Sequence, residues 1–344
     1  MPRVSVIMNV RNGAATLREA LDSVLAQTFG DWELIVWDDR SSDESAKIVA
    51  EHSDPRILYF LSPEETSLGK ARHHAMRQAR GEWLAFLDQD DLWMPRKLEM
   101  QMALESPHPS KGSLGGLPAL SISNGGAQPG IIYGRTVRFY PNGRQRDYDQ
   151  THEFKPLPEG DIFAQLFAKG CFIAMSSAVF RRSAVEEIGG IPAEVDIIPD
   201  YYLYTAVARR YPARAVQEVL CRYRMHGANL SRLAAIAMHR EALWLVGHWA
   251  GSLEPGTVAL CRKRHSTAIA VEEIRSLNTA VHGIVRLLTE GSVTSQLKRP
   301  FMFAFHIARR NVLSPYWKAS SNQSMETVTE RVAALPAAHP SRGK

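Results

Sequence analysis

Two acidic clusters have the residue types and spacing to do chemistry. Asp38-Asp39 follows the apolar run WELIVW, and Asp88-Gln89-Asp90-Asp91 follows WLAFL. Three carboxylates within four residues repel one another, so a cation or hydrogen-bond donors must compensate them. Hard carboxylate oxygens suit Mg²⁺ or Mn²⁺. Mg²⁺ takes only one or two protein carboxylates and draws other oxygens from substrate phosphates. The clusters therefore point to a metal–diphosphate site. Either cluster by itself reads as turn-forming and helix-capping acids. Two of them at the ends of two apolar strands favour chemistry.

The elements that position these acids alternate in type over residues 4–105. Residues 4–8 read as a buried strand, 32–37 as a second, 57–61 as a third and 83–87 as a fourth. Between them, residues 16–27 carry an apolar stripe of Leu17, Leu21, Val24 and Leu25 at helical spacing. Thr16 with Glu19, and Ser41 with Glu44, have capping-box spacing; the second pair opens a helix through about residue 51. Residues 67–79 read as a helix stopped by Gly81, and Pro95 suits the first turn of the next one. Strands alternating with helices predict an open, mostly parallel α/β sheet. In such sheets ligands bind beyond the carboxyl ends of the strands, where both clusters fall.

Residues 106–130 shift to Ser, Gly and Pro and read as a flexible insertion. Strand signals resume at 131–139 and 176–180, a helix begins near Asp200, and residues 231 to about 320 look helical before a frayed tail. The 344 residues are 45% hydrophobic and 22% charged, which excludes wholesale disorder. Residues 1–230 carry 26 basic against 29 acidic side chains, and residues 231–344 carry 15 against 7. No run of apolar residues spans a membrane, and MPRVSVIMNV lacks the pattern of a signal peptide, so the sequence places the chain in the cytoplasm. Within the basic region, LKRPFMFAFHIARRN (297–311) has the make-up of an interfacial helix, which would allow peripheral contact with the inner face of the plasma membrane. A helix packed on the catalytic domain is the plainer reading. Scattered positive charge without a known module speaks against nucleic acid. Cys171, Cys221 and Cys261 are too far apart for a metal or disulfide framework.

Competing chemistries leave signatures that are missing. There is no G-x-x-x-x-G-K-[ST] loop, no G-x-G-x-x-G after the first strand and no G-x-S-x-G elbow. A nucleotidyltransferase would need a Gly-rich basic loop where this chain has NVRNG.

Six segments in order resemble family 2 glycosyltransferases of the GT-A fold, the inverting group common in bacterial polysaccharide and lipopolysaccharide synthesis. They are VSVIMNVRNGAATLREALDSVLAQTF, WELIVWDDRSSDES, GKARHHAMRQARGEWLAFLDQDDLWMP, SSAVFRRSAVEEIGGI, PDYYLYTAVARRYP and YRMHGANLS, together covering roughly residues 2–231. The resemblance implies a mixed, mostly parallel sheet flanked by helices with a helical C-terminal extension. Residues 1–105 would bind the nucleotide-sugar, 131–231 would hold acceptor and catalytic groups, and 232–344 would be the helical basic region. Asn9, Arg11, Asp39, Arg72 and Asp88 would contact a nucleotide-diphospho-sugar, most often a UDP-sugar. Asp90 and His226 would hold Mn²⁺ or Mg²⁺, Asp200 would be the catalytic base, and Ser176 and Ser177 would shape the sugar pocket. The acceptor would be a saccharide or a lipid-linked saccharide.

The departures fall around the nucleotide. Arg11 stands where the family usually has a base-stacking Tyr, Arg40 where it has Gly, and His73 where it has Asn. Because the core carboxylates are kept, an active enzyme is the expectation; a degenerate relative that binds a nucleotide-sugar or a partner is the alternative.

Overall fold

The computed structural model describes residues 1–106, 128–147, 154–227 and 229–290. The predicted insertion lies mostly outside these residues, and the 297–311 segment wholly so. The chain forms two compact units, Met1–Arg262 and Lys263–Lys344.

The first unit is built on one nine-stranded sheet. Its strands are β1 (Val4–Val10), β2 (Trp32–Asp38), β3 (Ile57–Leu61), β4 (Trp83–Phe86), β5 (Leu92–Trp93), β6 (Ile131–Phe139), β7 (Gln145–Asp147), β8 (Val179–Arg181) and β9 (Ala213–Arg224). The order is β3-β2-β1-β4-β8-β6-β9-β5, with β7 paired to β6. β3, β2, β1 and β4 are parallel, β8 is antiparallel to both its neighbours, and β6 and β9 are parallel. The sheet is thus mixed, as expected.

Helices cover both faces because the apolar residues alternate. Val4, Val6, Met8 and Val10 of β1 join one core, and Ile7 points into the other. The first core takes α1 (Leu17–Leu25), α2 (Ser45–Ala50) and α4 (Lys97–Met102). The second takes α3 (Leu68–Met76), α5 (Phe163–Lys169), α6 (Arg182–Glu187), α7 (Pro199–Ala208), α9 (Ala235–His248) and the start of α10 (Pro255–Glu290). A short α8 (Leu230–Leu233) precedes α9. In α1, Leu17, Ala20, Leu21 and Val24 are fully buried at i, i+3, i+4, i+7 spacing. Of the second unit, residues 263–290 are described and are helical. Among the described residues no helix is long and apolar enough to cross a membrane.

Several local expectations are corrected. Thr16 makes no side-chain cap; its hydroxyl turns back to the carbonyl of Gly13. The second helix starts at Ser45, not Ser41, and Asp43 accepts its first amide at 3.0 Å. The capping-box pattern is local; here the Ser41 hydroxyl is held by the Asn12 amide of another loop, while the Thr16 hydroxyl stays within its own turn. Gly81 does not end α3, which stops at Met76. It sits where a Cβ would come 2.4 Å from the amide nitrogen of Ser5, so close strand packing requires a glycine. Pro95 precedes α4, whose N-cap is Arg96. Residues 175–177 form a 3₁₀ turn before β8. Arg181 is buried with its guanidinium over the Trp83 ring. Trp32, Trp37, Trp83 and Trp93 all pack inside, and the three cysteines are free thiols.

Lys97 is fully buried, bonded to Gln101 Oε1 at 2.7 Å and stacked on Trp93. Burial lowers its pKa from 10.5 to about 7. The folded state therefore binds fewer protons than the unfolded chain between these values. This contribution to stability is fully present above 10.5 and is lost as the pH falls to about 7. In Lys97→Met, stability measured by chemical denaturation should rise less steeply than in the native chain between pH 7 and 10.

Candidate active site

The carboxyl ends of β1, β2 and β4 lie along one edge of the sheet. Val10 is level with Asp38, and Ile7 with Phe86, so the loops after all three strands meet there. Two residues in these loops take the left-handed conformation, Asn12 at φ 48° and Arg40 at φ 65°. Asn tolerates this region; Arg40, in a position suited to Gly, does so at a cost of about 1 kcal/mol or more. The Asn12 amide donates to Ser41 Oγ at 2.9 Å, and Asn12 Oδ1 accepts from the Ser42 amide at 2.8 Å, tying the loops together.

The two acids of the first cluster separate in role. Asp38 is buried and structural, accepting from the Ser41 amide and the Tyr59 hydroxyl at 2.7 Å each. Asp39 accepts from the Thr66 amide at 3.0 and 3.1 Å and from its hydroxyl at 2.9 Å. Arg11 reaches Asp39 at 3.5 Å and Glu65 at 2.5 Å. The guanidinium thus lies beside the acid expected to meet the nucleotide base. The side-chain nitrogen of Asn9, on β1, is buried without a hydrogen-bond partner.

In the second cluster each carboxylate has its own solution to crowding. Asp88 pairs with Arg72 of α3 at 2.5 Å. Burial disfavours the Arg72 charge, but Asp88 and Asp200 more than offset this, and its pKa lies above the ordinary value. Asp90 Oδ2 lies 2.7 Å from His226 Nε2. Burial and the neighbouring Asp88 push the Asp90 pKa up, with His226 opposing them. Asp91 is turned fully inward, accepting from Ser176 Oγ at 2.6 Å and from the Arg224 amide at 2.9 Å. Arg224 Nε also holds the Asp90 carbonyl at 2.7 Å. Asn229 accepts the His226 amide at 2.7 Å and donates to the Arg224 carbonyl at 3.0 Å, fixing the histidine.

Asp200 stands in the first turn of α7, its carboxylate accepting from the Tyr201 amide at 2.8 Å. Burial raises its pKa above the ordinary 3.8, and the Arg72 charge opposes that. Arg72 therefore acts electrostatically on Asp88 and Asp200 together. Among the described residues, no group of three or more His, Cys, Asp and Glu side chains is placed to hold a metal. Asp90 with His226 is a two-donor set.

The structure thus brings Arg72, Asp88 and Asp200 into one charged group, Asp90 and His226 into a second, and Arg11 and Asp39 into a third. Sequence reasoning missed Thr66 and Asn229, and gave Gln89 and Asp91 of the acidic cluster no role of their own. The Gln89 amide bonds the Arg11 backbone twice, at 2.9 and 3.1 Å, clamping the first loop to the acidic one. A Cβ at Gly13 would come 2.4 Å from Gln89 Oε1, so that glycine serves the clamp. Trp93 donates its indole N–H to the Ser176 carbonyl at 2.7 Å.

The sequence pattern of Glycosyl transferase family 2 matches residues 5–189, over half the chain, and the chain belongs to that family. It is a glycosyltransferase with the GT-A fold. The chain is 43% identical over 101 residues to E. coli WfgD, a UDP-Glc:alpha-D-GlcNAc-diphosphoundecaprenol beta-1,3-glucosyltransferase, covering 29% of this chain and 40% of that protein. To E. coli WfaP, which carries the same activity name, it is 27% identical over 232 residues, covering 67% and 80%. A match to the putative glycosyltransferase EpsE of Bacillus subtilis likewise spans only 40% of that protein's length. In three dimensions it resembles S. aureus TarS 1–349 in complex with UDP-GlcNAc, at TM-score 0.56 and 16% identity over 76% of this chain and 72% of that one. It also resembles the mannosyltransferase PcManGT of Pyrobaculum calidifontis in complex with GDP-Man and Mn²⁺, at TM-score 0.50 and 19% identity over 96% and 86%.

Asp91→Ala leaves the Ser176 hydroxyl and the Arg224 amide without their acceptor in a buried place. It should lower stability by about 3 kcal/mol in denaturant titration.

Proposed function

We propose that this chain is a metal-dependent, inverting glycosyltransferase that moves a sugar from a UDP-sugar to a hydroxyl of a saccharide or lipid-linked saccharide. The observation that carries the reading is Arg72, whose charge serves both Asp88, on the donor side, and Asp200, at the start of α7. A UDP donor accords with the UDP-Glc in the WfgD and WfaP names and the UDP-GlcNAc bound by TarS. A lipid-linked acceptor accords with the diphosphoundecaprenol in the same two names. The pathway would be bacterial cell-surface polysaccharide synthesis, at the cytoplasmic face of the plasma membrane.

The acceptor hydroxyl attacks the anomeric carbon on the face opposite the departing diphosphate, which inverts configuration. Asp200 accepts the hydroxyl proton as the bond forms. A carboxylate with a raised pKa is a stronger base than an ordinary aspartate. Arg72 orients Asp88 and keeps Asp200 from drifting further toward its neutral form. Asn9, Arg11 and Asp39 present a donor, a guanidinium plane and a carboxylate to the nucleotide; an Arg plane can stack on a base as a Tyr does.

Mn²⁺ or Mg²⁺ fits the donor set of Asp90 and His226. The two side chains face each other at 2.7 Å, and the crowding of Asp90 by Asp88 is relieved by a cation. Two protein ligands suffice when diphosphate oxygens complete the shell. When bound, the ion supplies Lewis-acid neutralisation of the leaving diphosphate.

Asp200→Asn should lower transfer by about 10² to 10⁴-fold and leave donor binding intact. Normal transfer by this variant would remove Asp200 from the role. Calorimetry with UDP, GDP and CMP should show UDP binding that needs Mn²⁺ and is abolished by EDTA or by Asp90→Ala. A preference for GDP would move the donor class, and no binding by folded protein would favour a non-catalytic relative. The acid limb of the pH–rate profile should lie above 3.8, because burial raises Asp200. In Arg72→Met that limb should move to still higher pH, since the cation that lowers the Asp200 pKa is gone.

A further inference from the structure

Glu241 is the only acidic residue of α9, and it faces inward instead of toward solvent chemistry. Its two oxygens accept the backbone amides of Asp196 at 3.1 Å, Ile197 at 3.0 and 2.9 Å, and Ile198 at 3.0 Å. Three successive amides converging on one point form a concave anion site, and here a side chain from another element fills it. Hydrogen bonds to an ionised acceptor are about twice as strong as neutral ones.

The segment so held leads directly into α7. Ile198 is the N-cap of that helix and supplies no side-chain cap, and Pro199 follows. Glu241 therefore delivers from α9 the negative charge that a helix N-terminus favours. Asp200 is the next residue. On its other side the same segment is clasped by α3. Ser67 Oγ donates to the Asp196 carboxylate, and the Gly69 amide donates to the Asp196 carbonyl at 3.2 Å. A Cβ on Gly69 would come 2.0 Å from the Val195 carbonyl oxygen, so only glycine permits the contact. One turn further along α3 lies Arg72.

We infer that Glu241 is a positioning residue for Asp200: by gathering the amides of residues 196–198 it seats the start of α7 against α3, and so sets the base relative to Arg72 and the donor. The inference rests on the proposed role of Asp200 as base. Glu241 touches no reacting atom. Its loss frees three amides and lets the base shift, and a shift of about 1 Å can cost on the order of 10²-fold in rate.

The test compares the full-length chain with Glu241→Gln, Glu241→Ala, Asp200→Asn and the Glu241→Gln/Asp200→Asn double variant. UDP release from UDP-glucose and hydrogen exchange at the amides of 196–198 are read on each. In Glu241→Gln these amides should lose protection, kcat should fall about 10- to 100-fold, and the donor KM should stay unchanged. In the Asp200→Asn background the same change should cost nothing further, because residues acting as one unit are not additive. Equal losses in both backgrounds, a donor KM that rises with the fall in kcat, or amides that stay protected would overturn the inference. If Glu241→Ala fails to fold, the isosteric Gln variant carries the comparison. Ser67→Ala, which loosens the same segment from the α3 side, should give the same signature in milder form. Normal turnover by Asp200→Asn removes the base reading and this inference together. Impaired Asp200→Asn with unimpaired Glu241→Gln removes the positioning role alone.

Discussion

Like-charge repulsion among Asp88, Asp90 and Asp91 is the constraint on which the rest of this structure depends. Three carboxylates in four residues are tolerated only because each is answered differently. An arginine from α3 meets Asp88, a histidine after β9 meets Asp90, and a hydroxyl with a backbone amide meets Asp91. The turn from Asp88 to the Asp91 amide, at 3.1 Å, points successive acids in different directions. Burial raises the pKa of Asp90 and Asp91, so the charged state of the cluster is costly.

The sheet makes this arrangement possible by ending its parallel strands together. The β1–β2 and β1–β4 registers bring three loops to one edge, and the Gln89 clamp ties the acidic loop to the one after β1. The strands after the insertion supply the groups that answer the acids, with Ser176 just before β8 and Arg224 at the end of β9. The helical layer then adds Arg72 and Asp200 from α3 and α7. Glu241 and Gly69 join these two helices through the short segment between them.

The loops after β1 and β2 carry departures from the family pattern. Arg11 bridges Asp39 and Glu65, and Arg40 is held in a left-handed conformation that suits glycine. Both put positive charge and bulk where the family usually has a neutral surface. Strain kept at such a place is consistent with a role in binding, since surrounding contacts must hold it there. The chain is therefore a family member that keeps Asp39, Asp88, Asp90 and Asp200 of the family pattern and departs from it in the loops after β1 and β2.

How much of this was legible beforehand follows from the range of each interaction. Strand and helix identity, the acids at strand ends and the start of a helix near Asp200 could be read because they rest on local periodicity and punctuation. The start of α2 could not, because the Asn12 amide of another loop holds the Ser41 hydroxyl. Nothing local distinguishes Asp91, which turns inward, from Asp90 beside it. Their partners lie 85 to 136 residues away, on chain that only the folded sheet brings back. Residue order was enough to find the acids and the strand ends at which they lie. Which acid is structural, which is paired and what seats Asp200 came only from the folded chain, because pairing a buried charge depends on distance in space, which residue order does not encode.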